Sequence, residues 1–172
     1  MKLSTRVTIF LVVFVVLTVA VAYASTLPIS QSNAQGLNSQ VQSIPATTVG
    51  IFSNNVRIAL VEFIPVVGPI FGVYTSYSTG VAIAAISQAD SQSQMSGIVL
   101  FLLLMLTPIF WLEFFSYSLA VEESISLIVS IRSRDLKREW KWLVASILAV
   151  AIVLFFSARL ESSLVSALAP SS

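Results

Sequence analysis

The sequence predicts an all-α fold, a polytopic membrane helix bundle with about five transmembrane elements, one pair of them a hairpin broken by Pro and Gly. Three observations predict it. The 172 residues are 56% apolar, only 10% are charged, and mean hydropathy is +0.92. Soluble domains carry roughly 25% charged residues, and a soluble chain this poor in charge would expose large apolar patches. The apolar residues fall into long runs separated by short polar stretches. The basic residues cluster in two short segments, the pattern that sets membrane orientation.

Composition also narrows the chemistry. There is no cysteine, which excludes disulfides and thiolate metal sites. There is no histidine, which excludes zinc-protease motifs and Ser-His dyads. No phosphate-binding loop, dinucleotide fingerprint or nucleophile elbow occurs. An acid pair such as Glu62 and Glu113 offers acid–base chemistry only in principle. We therefore expect no enzyme, no cofactor and no metal, and a net charge of +1 gives no case for nucleic acid.

Residues 1–27 read as a basic leader, with Lys2 and Arg6, followed by a first span. Ala22-Tyr23-Ala24 before Ser25 has the small-x-small form of a signal-peptide cleavage site. An uncleaved anchor is favoured, because Val7 to Leu27 is longer than the usual apolar region of a signal peptide. Residues 28–50 are polar and uncharged, an extracytoplasmic loop with room for a short amphipathic piece. Residues 51–131 form the membrane core. Within it, 51–87 is a hairpin broken at Pro65-Val66-Val67-Gly68-Pro69, with arms near 51–64 and 69–87. Each arm is short of the ~20 residues of a full span, so the hairpin is tilted or re-enters without crossing. Residues 88–96 form a polar loop with one charge, Asp90. Residues 97–131 are one helix, longer than a span, whose C-terminal part leaves the core or bends. Residues 132–141 form a basic cytoplasmic loop, and 142–172 hold the last span and an external tail.

Counting five elements puts Lys2, Arg6 and the 132–141 cluster on one side and leaves the 28–50 and 88–96 loops without Lys or Arg. The positive-inside rule then places a multi-pass protein in the cell membrane, N-terminus cytoplasmic and C-terminus extracytoplasmic.

Charges inside spans need a partner or a purpose. Arg57 and Glu62 lie in the first hairpin arm, five residues and about 140° apart on a helix, so they do not pair with each other. Arg57 shares its face with Asn54, and Glu62 with Asn55. The preferred partner for Arg57 is Glu113, five residues after Pro108. A structural ion pair with Asn side chains as interhelical glue is favoured over a polar pathway. Glu122 and Glu123 are expected to pair with Arg132 or Arg134. Gly68, Gly72, Ser76, Gly80 and Ala84 recur every four residues, a helix-packing face that serves either the bundle or self-association. Glu113, Ser116, Ala120 and Ser124 share a second small and polar face, with Tyr117 beside it.

Two stretches together resemble the stage II sporulation protein M family. One is Ile51-Phe52-Ser53-Asn54-Asn55-Val56-Arg57-Ile58-Ala59, followed by Pro65, Gly68 and small residues to Gly80. The other is Pro108-Ile109-Phe110-Trp111-Leu112-Glu113, followed by Ser116, Ala120 and Ser124. The family has Pro-His-Gly-x-x-Glu there. Pro108 and Glu113 match it, while Ile109 and Phe110 depart from its His and Gly. The resemblance covers roughly residues 50–130. It implies an all-helical multi-pass protein without known catalysis, which recruits other proteins in the membrane. The expected function is a non-enzymatic scaffold or assembly subunit whose partners are the lipid bilayer and other membrane proteins or further copies of itself. The alternative is a small permease or the membrane subunit of a transporter.

Overall fold

The computed structural model describes residues 2–43, 45–89, 95–133 and 136–168. Among these the chain is all helical. The elements are α1 (Leu3–Ser25), α2 (Gln31–Gln42), α3 (Thr48–Glu62), α4 (Val67–Ala89), α5 (Gly97–Met105), α6 (Pro108–Ser133) and α7 (Leu136–Leu168). Four of them, α1, α4, α6 and α7, are long and apolar enough to cross a membrane. α3 is not: its 15 residues make about 22 Å of helix, against roughly 30 Å of hydrocarbon.

α6 is the interior helix, more than half of its apolar span buried, whereas α1 and α7 are mostly exposed on their apolar surfaces. α1 and α7 both pack on α6, α3 packs on α6 and α7, and α4 lies against α1, α5 and α6. α2 rests on α4 outside the main bundle. α1 is apolar all round, as lipid-facing helices are, and buries one stripe through Val13, Leu17, Val21 and Ala24.

That stripe meets α4, where Gly68, Gly72, Ser76, Gly80 and Ala84 are all buried. A Cβ on Gly80 would collide with the Val21 carbonyl and lie 2.6 Å from the Ala24 methyl. The absent side chain is what lets the α1 and α4 backbones touch. The small-residue face of α4 is thus occupied within the chain.

The hairpin turns at residues 63–66, where Pro65 breaks the helix and Val66 has φ 70°. A positive φ is a strained conformation for a β-branched residue. Pro69 falls in the first turn of α4, where its missing N–H costs nothing. Gly68 is needed because a Cβ there would run into the Glu62 carbonyl. The Ser124 hydroxyl of α6 donates to the Ile64 carbonyl at 2.8 Å and ties the turn to the bundle.

Three expectations about element bounds need correction. The single helix expected over 97–131 is two, α5 and α6, parted at Leu106-Thr107. Pro108 disfavours helix in the residue before it and lacks the N–H that would continue the ladder. Thr107 accepts from the Phe110 N–H at 3.4 Å, and the Trp111 indole N–H donates to the Met105 carbonyl at 2.8 Å across the break. After the break α6 runs as one helix to Ser133 instead of leaving the bundle. The basic 132–141 segment is mostly helical, since α7 begins at Leu136, with Glu139 in its first turn where the helix dipole favours an acid. The last helix continues through the expected tail as far as Leu168. The polar loop charge Asp90 lies outside the described residues.

Close packing at Gly80 makes a specific prediction. Gly80→Ala should destabilise the folded protein by about 1–3 kcal/mol, the cost of overpacking. Gly36→Ala, where nothing lies within 4 Å of the new methyl, should be neutral or slightly stabilising. Thermal unfolding midpoints of the two variants in detergent, compared with wild type, check both.

Candidate functional site

The described charges inside the bundle gather in two buried polar centres. The first is built on Arg6. Helix α1 starts at Leu3, so Arg6 stands at the end of its first turn rather than in a leader ahead of it, and only 6% of it is exposed. Its Nη1 donates to Glu123 at 2.7 Å and to Glu122 at 3.4 Å, and its Nη2 bonds to Glu139. One guanidinium therefore joins α1, α6 and α7. The Ser126 hydroxyl donates to Glu122 at 2.5 Å and Ser146 to Glu123 at 3.1 Å. The Trp142 ring lies 5.2 Å from the Arg6 guanidinium, within cation–π range.

This corrects the expected pairing of Glu122 and Glu123 with Arg132, which is exposed; Arg134 lies outside the described residues. Arg132 is nine residues beyond Glu123 on the same helix, about 14 Å along the axis. Arg6 approaches from a neighbouring helix at the same level. Glu122 and Glu123 point about 100° apart on α6, so one of them faces α1 and the other can also meet Ser146 of α7.

The second centre lies along α3. The Asn55 side-chain amide donates to Glu113 at 2.6 Å, and Asn54 donates to the Asn55 carbonyl oxygen at 3.2 Å. Ser157 of α7 donates to the same Glu113 oxygen at 3.4 Å. Glu113 is thus held by Asn55, not by Arg57, and the expected Arg57–Glu113 pair does not form. Asn55 and Arg57 are two residues and about 200° apart on the helix. With Asn55 buried against α6, Arg57 is exposed on the opposite side. Glu62, one full heptad after Asn55, faces inward and is 1% exposed. The Thr75 hydroxyl of α4 donates to its Oε1 at 3.2 Å, while its Oε2 has no partner among the described residues. Pro108 stands at the first position of α6, one and a half turns before Glu113, and sets where that helix begins.

Tyr117 packs against both apolar clusters. Around it Phe110 and Phe114 stack at 4.3 Å, and Phe14 stacks on Trp111 at 5.8 Å. Among the described residues no group of three or more acidic side chains has the arrangement of a metal site.

Arg6, Thr75, Ser146 and Ser157 were not singled out from the sequence as bundle residues. Thr75, one residue before Ser76 of the small-residue face, is the one whose position hinted at a role. No protein-family model, curated protein or solved structure matches the chain.

Removing the guanidinium would leave buried carboxylates without their cation. Arg6→Gln should lower folding stability by about 3–5 kcal/mol. Arg132→Gln should change it by less than about 0.5 kcal/mol, as exposed substitutions do. Unfolding midpoints in detergent, followed by tryptophan fluorescence, separate the two.

Proposed function

We propose that this multi-pass membrane protein is a non-enzymatic scaffold or assembly subunit of the cell membrane, whose partners are other membrane proteins. The observation that carries the reading is how the buried polar groups are used. Arg6, Glu113, Glu123 and Ser146 each bond to a different helix from their own, and Ser124 bonds to the turn between α3 and α4. Polar contacts between helices in lipid fix one arrangement of the bundle, and a docking platform depends on a fixed arrangement. The resemblance of residues 50–130 to the stage II sporulation protein M family favours the same role.

A second reading, the membrane subunit of a transporter or a small permease, is favoured by one observation. The Glu62 Oε2 is buried and unpartnered beside a broken hairpin, and intramembrane carboxylates of that kind mark ion and proton pathways. Against it, four long helices are few to enclose a pathway within one chain.

The orientation we propose has the N-terminus and the 132–141 segment in the cytoplasm and the C-terminus outside. Seven of the nine Lys and Arg, namely Lys2, Arg6, Arg132, Arg134, Lys137, Arg138 and Lys141, belong to those two segments. Positive residues favour the cytoplasmic side.

Two measurements test these readings. Purification from native membranes in mild detergent should yield a stoichiometric complex with a second, unrelated membrane protein. Recovery of the chain alone, with proton or sodium flux in liposomes that Glu62→Gln abolishes, would move the assignment to transport. For orientation, the absence of cysteine allows single-site labelling. In intact cells a membrane-impermeant maleimide should modify Ser39→Cys, and should reach Ser133→Cys only after permeabilisation.

A further inference from the structure

Among the described residues the backbones of α1 and α7 do not approach each other, although both pack on α6. Between them lies an open groove of about 380 Å³, within the range of small-molecule sites. Val7 and Phe10 of α1 form one wall, Ala145 and Ala149 of α7 the other, and Phe115 and Leu119 of α6 the floor. At one end the groove meets Arg6, Glu122, Ser146 and Trp142. It is a strip of apolar surface that ends on polar groups.

Two independent observations indicate what fills it. The first is an unpaired donor. Both Nη atoms of Arg6 bond to carboxylates, but its Nε–H has no partner among the described residues although only 6% of the residue is exposed. A buried N–H left unpaired carries its full desolvation penalty; the Nε atom is itself closed off from solvent, so an acceptor oxygen at the groove's polar end relieves it once a side chain lining that end shifts. The acceptor must be neutral, because Glu122 faces the same groove and is already engaged by Arg6 and Ser126. The second is charge. Residues 1–6 and 122–141 hold seven Lys and Arg against four Asp and Glu, a balance of +3. Lys2 and Lys141 there are exposed, and basic clusters at a cytoplasmic membrane surface attract anionic headgroups.

We propose that the groove between α1 and α7 binds one anionic phospholipid. An acyl chain lies between the α1 and α7 walls, its ester carbonyl accepts from the Arg6 Nε–H, and its phosphate lies further out among the basic residues. A phospholipid supplies these three parts in this order along its length: chain, neutral carbonyl, anionic head. The site stands apart from the scaffold reading and holds whichever role the protein has.

The test is native mass spectrometry of the full chain in mild detergent, titrated separately with phosphatidylglycerol and with phosphatidylcholine of the same chains. One phosphatidylglycerol per chain should be retained about tenfold more tightly than phosphatidylcholine. The double variant Ala145→Phe, Ala149→Phe adds bulk on the groove wall, away from the Arg6 contacts. It should abolish that retention and leave the lipid-free melting temperature unchanged. The double variant Lys2→Gln, Lys141→Gln should narrow the difference between the two lipids while leaving chain binding in place. Equal retention of both lipids by wild type would overturn the proposal, as would phosphatidylglycerol binding that the filled groove does not affect. A mass doubled by a second copy, lost in the filled variant, would assign the groove to self-association instead.

Discussion

The bundle depends on a guanidinium held among carboxylates. Glu122, Glu123 and Glu139 are each no more than 2% exposed, and carboxylates so far from water need a counter-charge. Arg6 supplies it from another helix, and its position then dictates the register of much else. With Arg6 opposite Glu122, antiparallel packing of α1 on α6 brings Phe10 to Phe115 at 5.2 Å and Phe14 to Trp111 at 5.8 Å. A slip of one turn would carry the guanidinium about 5.4 Å from its acids and unstack those rings. Buried ion pairs are weak sources of net stability, and their best-attested use is to specify one arrangement over others. Register between α1 and α6 is the thing specified here.

α6 is the member on which the other constraints converge. Near its start Glu113 holds Asn55 of α3 and Ser157 of α7. Toward its end Ser124 holds the hairpin turn and Glu123 holds Ser146. Small residues between these points, such as Ser116 and Ala120, are fully buried and keep the neighbouring helices close. The Thr107–Pro108 break lets this interior helix take a direction separate from α5, which is short and lies chiefly against α4. A continuous helix from residue 97 would force both segments onto one axis.

What could be read in the sequence follows from how far each feature reaches. The small-residue face of α4 is a property of one helix, so periodicity alone located Gly68, Gly72, Ser76, Gly80 and Ala84 together. Placing Glu62 with Asn55 needed the same arithmetic, and both are buried. Choosing partners between helices needs the register of one helix against another, which no local pattern encodes. Charge alone matches Arg57 to Glu113, whereas the geometry of α3 turns Asn55 inward and Arg57 away. The sequence pattern puts Arg6 in an orienting leader, because basic residues before an apolar run usually have that role. Its incorporation into α1 became visible only with three carboxylates around it. Pro108 was visible from the outset, but a proline can kink a helix or end it. The capping by Thr107 and the Trp111 bond across the break decide for an end.

The sequence separation within the Arg6 cluster bears on how the protein is made. Arg6 and Glu139 are 133 residues apart. At ribosomal rates of roughly 5–20 residues per second, about 7–27 s separate the synthesis of the cation from that of its last partner. Throughout that interval α1 is a single apolar helix whose guanidinium has water, headgroups or the insertion machinery for company. The acids of α6 arrive next, and α7 last. The Arg6 cluster therefore cannot close before the start of α7 has been made, and until then α1 waits in the membrane without it.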